Sequence, residues 1–246
     1  MSKRKVCIEN PKVLETYIIR DLTFTILSEF YKKCETYTIH FYKIQFKDTL
    51  TIKEYSRESL RVGKIEDYNR PTICQKGIVG ERMQNLFYPI HQTDFYKLWH
   101  RMIIRCYSNG ISNRGSLCCE DWLYLENFYN WFVKQEYKEG YELDKDLLCL
   151  LNKSDKIYSP ETCLLIPTEL NNFFAGFSDV SGIYKMKDTW RVDTNFNGER
   201  YYKSGFKTFE EAKQIRNFIK RKWLLELARS INLSVDLLNI ALEILK

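Results

Sequence analysis

The sequence predicts a mixed α+β chain made of three segments. They are a small β-rich N-terminal domain over 1–85, a central module over 90–176, and a three-stranded sheet with helices over 181–246. Runs of β-branched and aromatic residues favour strands in the first segment, and helical periodicity begins near residue 94. In the third segment, apolar and polar residues alternate over Trp190–Phe196, just before Asn197-Gly198, a pair typical of hairpin turns.

The composition indicates a globular chain with a substantial core. Its 246 residues are 44% hydrophobic and 28% charged, which argues against a disordered protein. No apolar run reaches the length of a membrane span, so we expect no membrane association. The basic start, residues 1–5, is not followed by the apolar stretch of a signal peptide, so a cytoplasmic location is expected.

The eight cysteines predict neither disulfides nor a structural zinc site. Disulfides are rare in proteins that are not secreted. A zinc site usually needs two cysteines separated by two to four residues, and the chain has no such pair. We therefore expect reduced, mostly buried thiols.

Charge is distributed unevenly along the chain. Residues 1–89, 90–180 and 181–246 carry net charges of +5, −4 and +5. An acidic centre between basic flanks suits a metal-carrying centre with arms that bind a polyanion, although ordinary surface variation produces similar offsets.

In the first segment, Thr36–Phe46 reads as a strand and Leu50–Ile52 as a second one. Its basic side chains could contact phosphate, but an ordinary solvated face is the favoured interpretation. They include Lys43, Lys47, Lys53, Arg57, Arg61 and Lys64.

The central segment reads as two helices followed by a strand–loop–strand–helix unit. The pieces are a helix over Asp94–Arg105, a polar loop over 109–115, a helix over Glu120–Phe132, strands over Tyr141–Leu148 and Cys163–Ile166, and a helix from Pro167-Thr168 through Phe174. Proline suits the first turn of that last helix.

In the third segment, three strand-like runs precede two helices. The runs are Gly182–Lys187, Trp190–Phe196 and Arg200–Phe206. Thr208 and Glu211 form a capping box for a helix whose buried side would carry Ala212, Ile215, Ile219 and Trp223, with Lys213, Arg216 and Lys220 on another side. Ser234 is expected to cap a last helix over Val235–Leu245.

Two stretches of the chain carry groups of recognisable motif residues. In residues 95–174 these are Trp99, Arg105-Cys106-Tyr107, Cys119-Glu120-Asp121-Trp122, Phe128, Leu143-Asp144-Lys145-Asp146, Tyr158-Ser159-Pro160-Glu161-Thr162-Cys163 and Asn171. In residues 181–228 they are three strands and one helix, with Phe206, Thr208 and Glu210-Glu211-Ala212. The first stretch resembles phage-type HNH endonucleases, and the second is similar to the AP2-type DNA-binding domain. If the chain is phage-encoded, it acts in the bacterial host cell.

The resemblance implies a ββα unit around one divalent metal, Mg²⁺ or Mn²⁺. Asp144 then takes the carboxylate position, and Asn171 or its neighbour Asn172 the position of the helix ligand. Lys145 or Asp146 stands where many members carry the histidine base, and Cys163 stands where an asparagine commonly braces the loop. Without the resemblance, Asp144 and Asp146 read as a charged strand end.

The resemblance also implies that the C-terminal sheet contacts double-stranded DNA, with a solvated sheet face as the alternative. Candidate contacts on its polar face are Lys185, Lys187, Arg191, Asn195, Tyr201 and Lys203. Lysine and arginine reach phosphates and guanine edges, and asparagine can read adenine.

Three hypotheses follow from the sequence. The first is a metal-dependent, homing-type DNA endonuclease with catalytic candidates Asp144, Lys145 and Asp146 and metal ligands Asp144 and Asn171. The second is a DNA-binding protein on a degenerate nuclease scaffold, since the usual histidine is missing. The third is a phage-encoded protein that binds and inhibits a host protein, with the nuclease-like fold reused as an interaction surface. The aromatic-rich acidic middle motivates it.

Overall fold

The computed structural model describes residue 8, residues 10–108 and residues 116–246, and the fold is mixed α+β as predicted. The loop predicted over 109–115 and the basic residues 1–5 lie outside the described residues. Contacts divide the chain into two compact units, 1–107 with 123–126, and 108–122 with 127–246. None of the helices in the described part of the chain is both long and apolar enough to cross a membrane.

The first unit contains a four-stranded antiparallel sheet in sequential order. Its strands are β1 Thr16–Ile19, β2 Leu22–Lys33, β3 Thr38–Phe46 and β4 Ile52–Ser56. The strand predicted over Thr36–Phe46 is confirmed, and the two strands before it were not predicted. Phe24, Ile26, Ile44 and Phe46 are buried on one face of this sheet, which follows from the two-residue repeat of strands.

Three helices follow the sheet in the first unit. They are α1 Arg57–Arg61, α2 Glu81–Leu86 and α3 Asp94–Tyr107. The predicted helix at 94–105 is confirmed, and its buried stripe includes Leu98, Trp99 and Met102. A Cβ atom at Gly77 would lie 3.0 Å from the Trp99 ring, so a larger residue there would force the ring to shift by a few tenths of an ångström.

The helix predicted over Glu120–Phe132 is interrupted in the structure. A 3₁₀ turn spans Glu120–Leu123, and α4 spans Leu125–Phe132. Ile78 donates its backbone N–H to Leu123 O at 2.8 Å and accepts from Leu125 N at 2.9 Å. The carbonyl of Leu123 and the N–H of Leu125 are therefore not available for the hydrogen bonds of one continuous helix.

The remainder of the central segment contains two small strand pairs and two helices. In chain order the elements are β5 Leu117–Cys118, β6 Tyr141–Asp144, α5 Asp146–Asn152, β7 Ile157–Tyr158, β8 Leu164–Pro167 and α6 Thr168–Phe174. β6 pairs antiparallel with β8, and β5 pairs parallel with β7.

The strand predicted over Tyr141–Leu148 is wrong beyond Asp144. The chain turns there into α5, because the Asp144 carboxylate accepts a hydrogen bond from Leu147 N at 2.8 Å and caps the first helical turn. Leu147 and Cys149 then lie in the core. Helix α5 therefore lies between β6 and β7, where the prediction continued the strand and then placed a loop.

The C-terminal sheet agrees with the prediction. β9 Ile183–Lys185, β10 Trp190–Phe196 and β11 Glu199–Phe206 form an antiparallel sheet in the order β11-β10-β9. Asn197 and Gly198 have φ values of +47° and +83°, as a tight hairpin turn requires. The predicted caps are also confirmed, since Thr208 begins α7 Phe209–Ser230 and Ser234 begins α8 Val235–Ile244.

The buried side of α7 differs from the prediction, because Arg216 and Lys220 lie on it with Ala212 and Trp223. The Arg216 guanidinium donates to the backbone carbonyls of Ser178, Asp179 and Ser181. Nζ of Lys220 lies 4.7 Å from the Phe173 ring centroid. The second half of α7 thus shares one core with α5, α6 and α8.

Candidate functional site

The strand pair β6–β8 and helix α6 form a compact ββα-like unit. Leu143 faces Leu165 and Glu142 faces Ile166 across the pair. Ile166, Leu170 and Phe173 are buried together, which docks α6 against the strands. This packing determines which α6 side chains can return to β6.

Asn171 is the α6 side chain that reaches β6. Its Nδ2 donates a hydrogen bond to Oε2 of Glu142 at 2.5 Å. Glu142 and Asp144 are two residues apart on one strand, so their side chains project from the same face. The fold therefore brings Asn171 to the strand face that carries Asp144. The sequence interpretation missed Glu142, although its two-residue offset from Asp144 was a usable signal.

Asp144 is buried, with 6% of its surface exposed. Burial raises the pKa of its carboxyl above the ordinary value, and the charge of Asp146 raises it further, while the hydrogen bond from Leu147 N lowers it. A buried carboxylate with a raised pKa has a strong demand for positive charge or for a proton.

Lys145 and Asp146 form an ion pair beside this carboxylate. Nζ of Lys145 donates to Oδ1 of Asp146 at 3.1 Å and lies 5.2 Å from the Tyr158 ring centroid. Lys156 binds the same carboxylate oxygen at 3.0 Å. Burial raises the pKa of Asp146, but the bonds to Lys156 and Lys145 outweigh it and lower the pKa overall. A lysine ammonium donates hydrogen bonds and accepts none, so in this pair Lys145 is the donor and Asp146 the acceptor.

The loop between β7 and β8 is braced by Thr162. Its Oγ1 accepts a hydrogen bond from Ser159 N at 3.2 Å and donates to the carbonyl of Ile157. The neighbouring Cys163, at the position expected for a bracing asparagine, is buried, and this burial raises the pKa of its thiol to about 12. Thr162 therefore does the bracing, and Cys163 remains a protonated core thiol.

The donors around Asp144 are the kind that Mg²⁺ or Mn²⁺ prefers. Glu142, Asp144 and Asn171 offer carboxylate and amide oxygens. Within the ranges that the structure describes, no group of three His, Cys, Asp or Glu side chains is placed to hold a metal. Mg²⁺ is commonly held by one or two carboxylates together with substrate phosphates and water, so the residues present fit such an ion.

The three histidines lie in the first unit. Nε2 of His40, on β3, lies 3.0 Å from Oε2 of Glu29. His91 lies in a 3₁₀ turn over Ile90–Gln92, and His100 stacks on Tyr96 in α3. Burial lowers the pKa of His100.

The C-terminal sheet has one side packed on α7 and one open side. Val192 pairs with Ile183 on β9 and with Lys203 on β11. Ile183 and Val192 are buried against Ala212 of α7, so the side of the sheet that carries them faces that helix. The open side carries Tyr184, Arg191, Asp193, Asn195, Arg200, Tyr202 and Ser204, from the strand register.

Arg191 occupies the middle of this open side. Its guanidinium carbon lies 4.9 Å from the Tyr184 ring centroid and 5.7 Å from that of Tyr202. Arg200 donates two hydrogen bonds of 2.8 Å to the two carboxylate oxygens of Asp193. Tyr184 and Tyr202 are about half exposed, at 47% and 55%. The sequence interpretation did not single out Tyr184, Arg200 or Tyr202, although strand alternation around Arg191 points to them.

The six predicted DNA contacts do not share one face. Arg191 and Asn195 lie on the open side, as predicted. Lys185, Tyr201 and Lys203 pair with Trp190, Thr194 and Val192, which places them on the α7 side. Lys187 lies in the connection between β9 and β10. The prediction that Tyr201 belongs to the polar face is wrong, since its ring packs against the α7 core.

Comparisons of this chain with protein-family models, curated proteins and solved structures find no match.

Proposed function

We propose that this chain is a DNA-binding, metal-dependent endonuclease of the HNH type. The observation that carries the proposal is the hydrogen bond from Asn171 to Glu142, two residues before the buried Asp144. A helix amide and a buried carboxylate converging on one strand face are the parts that such a nuclease uses to hold a metal at a phosphodiester.

In this proposal Asp144 and Asn171 hold Mg²⁺ or Mn²⁺, with Glu142 orienting Asn171. The ion would supply Lewis-acid stabilisation of a phosphodiester. Asp146 is ionised at neutral pH and half exposed, so it can accept a hydrogen bond from water and orient it. Lys145 and Lys156 hold that carboxylate in place and add positive charge next to the strand end.

The open side of the C-terminal sheet supplies the DNA contact in this proposal. Tyr184 and Tyr202 hold the guanidinium of Arg191 over their rings, which reduces the rotamer freedom lost on binding. Segment 181–246 has a net charge of +5, which favours a polyanion. Asn195 at the same side offers an amide that can bond to a base edge.

A second candidate is DNA binding without cleavage. It is favoured because the side chains of the site already have protein partners. Asp144 caps α5, Asn171 binds Glu142 and Lys145 binds Asp146. In that case the unit is a structural scaffold whose polar groups satisfy one another.

Conversion of supercoiled plasmid DNA to nicked or linear forms, with Mg²⁺ or Mn²⁺, separates these candidates. Wild type is compared with Asp144→Asn, which removes the charge but keeps an oxygen that can cap α5. Metal-dependent cleavage that disappears in Asp144→Asn supports the endonuclease. A gel shift that weakens with salt, without cleavage, supports the scaffold. Neither cleavage nor a shift contradicts both and leaves a host protein as the partner to seek by pull-down.

A further inference from the structure

The outward side of α3 carries a cluster of basic and aromatic side chains. Tyr96, Lys97, His100 and Arg101 lie on it, while the opposite side packs into the core. Neither the ββα unit nor the C-terminal sheet uses these residues.

His91 joins this side from the 3₁₀ turn before α3, and the five side chains line one pocket of about 560 Å³. Two of the chain's three histidines therefore face the same cavity. The pocket is open to solvent over much of its extent, so it suits a small polar ligand that stays partly hydrated.

The electrostatics of this pocket favour an anion. Lys97 and Arg101 place two basic side chains at exposed positions of the lining, and both histidines can donate hydrogen bonds. Asp94 is the acidic group that pairs with the cluster, through Lys97 at 3.3 Å between exposed side chains. Such an exposed pair is weak and yields readily to a stronger anion.

The aromatic lining favours a phosphate that belongs to a nucleotide. The Tyr96 and His100 rings stack on each other with 5.5 Å between centroids and 22° between planes, and both lie beside the cations. Proteins that bind single-stranded nucleic acid combine aromatic side chains with positive charge in this way.

We propose that this pocket is a phosphate-binding site, and that it takes either a phosphate of a nucleic-acid strand or a free phosphate ion. Lys97 and Arg101 neutralise the anion, His91 and His100 donate hydrogen bonds to it, and Tyr96 holds the His100 ring in place. The site belongs to the first unit and does not depend on cleavage at Asp144 or on Arg191.

The histidines themselves provide the readout. Burial lowers the pKa of His100, so its imidazole is neutral at pH 7, and a bound phosphate would raise that pKa. The full-length chain is labelled at histidine, and the imidazole signals are followed by NMR, with EDTA present to remove metal ions. Inorganic phosphate and a short oligothymidylate are titrated separately.

The expected result is a saturable shift of the His91 and His100 signals, with His40 unchanged as the internal reference. In the double variant Lys97→Ala, Arg101→Ala the affinity falls about tenfold or more, since charge-assisted hydrogen bonds are lost. Lys33→Ala, an exposed lysine on β2, is the matched control and leaves the affinity unchanged.

The two titrations separate the sources of the phosphate. Shifts with the oligonucleotide alone assign the site to a strand, and shifts with both ligands assign it to phosphate in general. Equal shifts at all three histidines, or shifts that persist in the double variant, overturn the proposal. Absence of shifts with either ligand overturns it too. None of these outcomes alters plasmid cleavage, so failure here is distinct from failure of the proposed endonuclease.

Discussion

The side-chain amide of Asn171 lies 2.5 Å from the carboxylate of Glu142, on the strand that ends at the buried Asp144. This contact ties α6 to β6 and defines the direction of the Asn171 side chain. It also identifies Glu142, which the sequence interpretation did not, as the group that orients a proposed metal ligand.

The first prediction concerns that pair. Asn171→Ala removes a proposed ligand, and we expect metal-dependent plasmid cleavage to fall at least about 100-fold. Glu142→Ala removes the oxygen that accepts the hydrogen bond from Asn171, and a loss of roughly 10–100-fold is expected because Asn171 is no longer oriented.

Asn172→Ala is the matched control for this measurement, because the adjacent side chain is exposed. Its cleavage rate should equal that of wild type. If Asn172→Ala abolishes cleavage and Asn171→Ala does not, the assignment of the helix ligand is wrong. Circular dichroism of each variant checks that α6 remains folded.

The second prediction concerns the open side of the C-terminal sheet. Arg191→Ala should weaken binding to duplex DNA by about tenfold, and a lost phosphate contact should reduce the salt-dependence slope by about one. Fluorescence anisotropy at several salt concentrations measures both quantities.

Lys203→Ala tests the face assignment. The Lys203 side chain is exposed, as a DNA contact must be. Its pairing with Val192 places it on the α7 side of the sheet. Binding should change little. Equal losses of DNA affinity in Lys203→Ala and Arg191→Ala would contradict the assignment of DNA binding to the open side alone.

The third prediction is a pH dependence of stability caused by Lys220. Burial, and then the nearby charge of Arg216, lowers its pKa from 10.5 to about 8. Between these values the unfolded chain keeps a proton that the folded chain has released. Stability therefore rises with pH across this window, by up to about 3 kcal/mol.

Lys220→Met should remove this rise and stabilise the protein at pH 7, because a buried charge is replaced by an apolar chain of similar length. Lys222→Met, at an exposed position on the same helix, is the control. Chemical denaturation at several pH values gives the difference in unfolding free energy. A rise that persists in Lys220→Met would assign it to other groups.

The fourth prediction is a pH dependence of stability caused by Asp144, and its direction is opposite to that caused by Lys220. Because its pKa is raised in the folded protein, the folded chain holds a proton that the unfolded chain has lost. Stability contributed by this group is therefore present at acidic pH and falls as pH rises through the raised pKa. Asp144→Asn should remove this fall and make the protein more stable than wild type at neutral pH.

Asp144→Ala separates charge from capping. Alanine cannot accept the hydrogen bond from Leu147 N, so this variant should lose about 1 kcal/mol relative to Asp144→Asn. Thermal unfolding of the two variants beside wild type, at acidic and neutral pH, measures the difference. A less stable Asp144→Asn at neutral pH would contradict the burial penalty.

Short sequence patterns correctly predicted the elements that depend on interactions between residues close together in the chain. The helix α3 follows from its apolar stripe, the β10–β11 hairpin from Asn197-Gly198, and the caps of α7 and α8 from Thr208 and Ser234. Each depends on hydrogen bonds or side-chain spacing within a few residues, which a sequence displays directly.

The sequence by itself determined the mixed α+β class and the three-stranded C-terminal sheet, and the pair Asp144 and Asn171 stays a prediction from a resemblance. Tertiary structure decided the rest. Strand β6 ends at Asp144, because the Asp144 carboxylate accepts a hydrogen bond from the backbone N–H of Leu147. Arg216 is buried because three carbonyls of residues 178–181 receive its guanidinium. Such partners are distant in sequence or depend on a turn, and only folding brings them together.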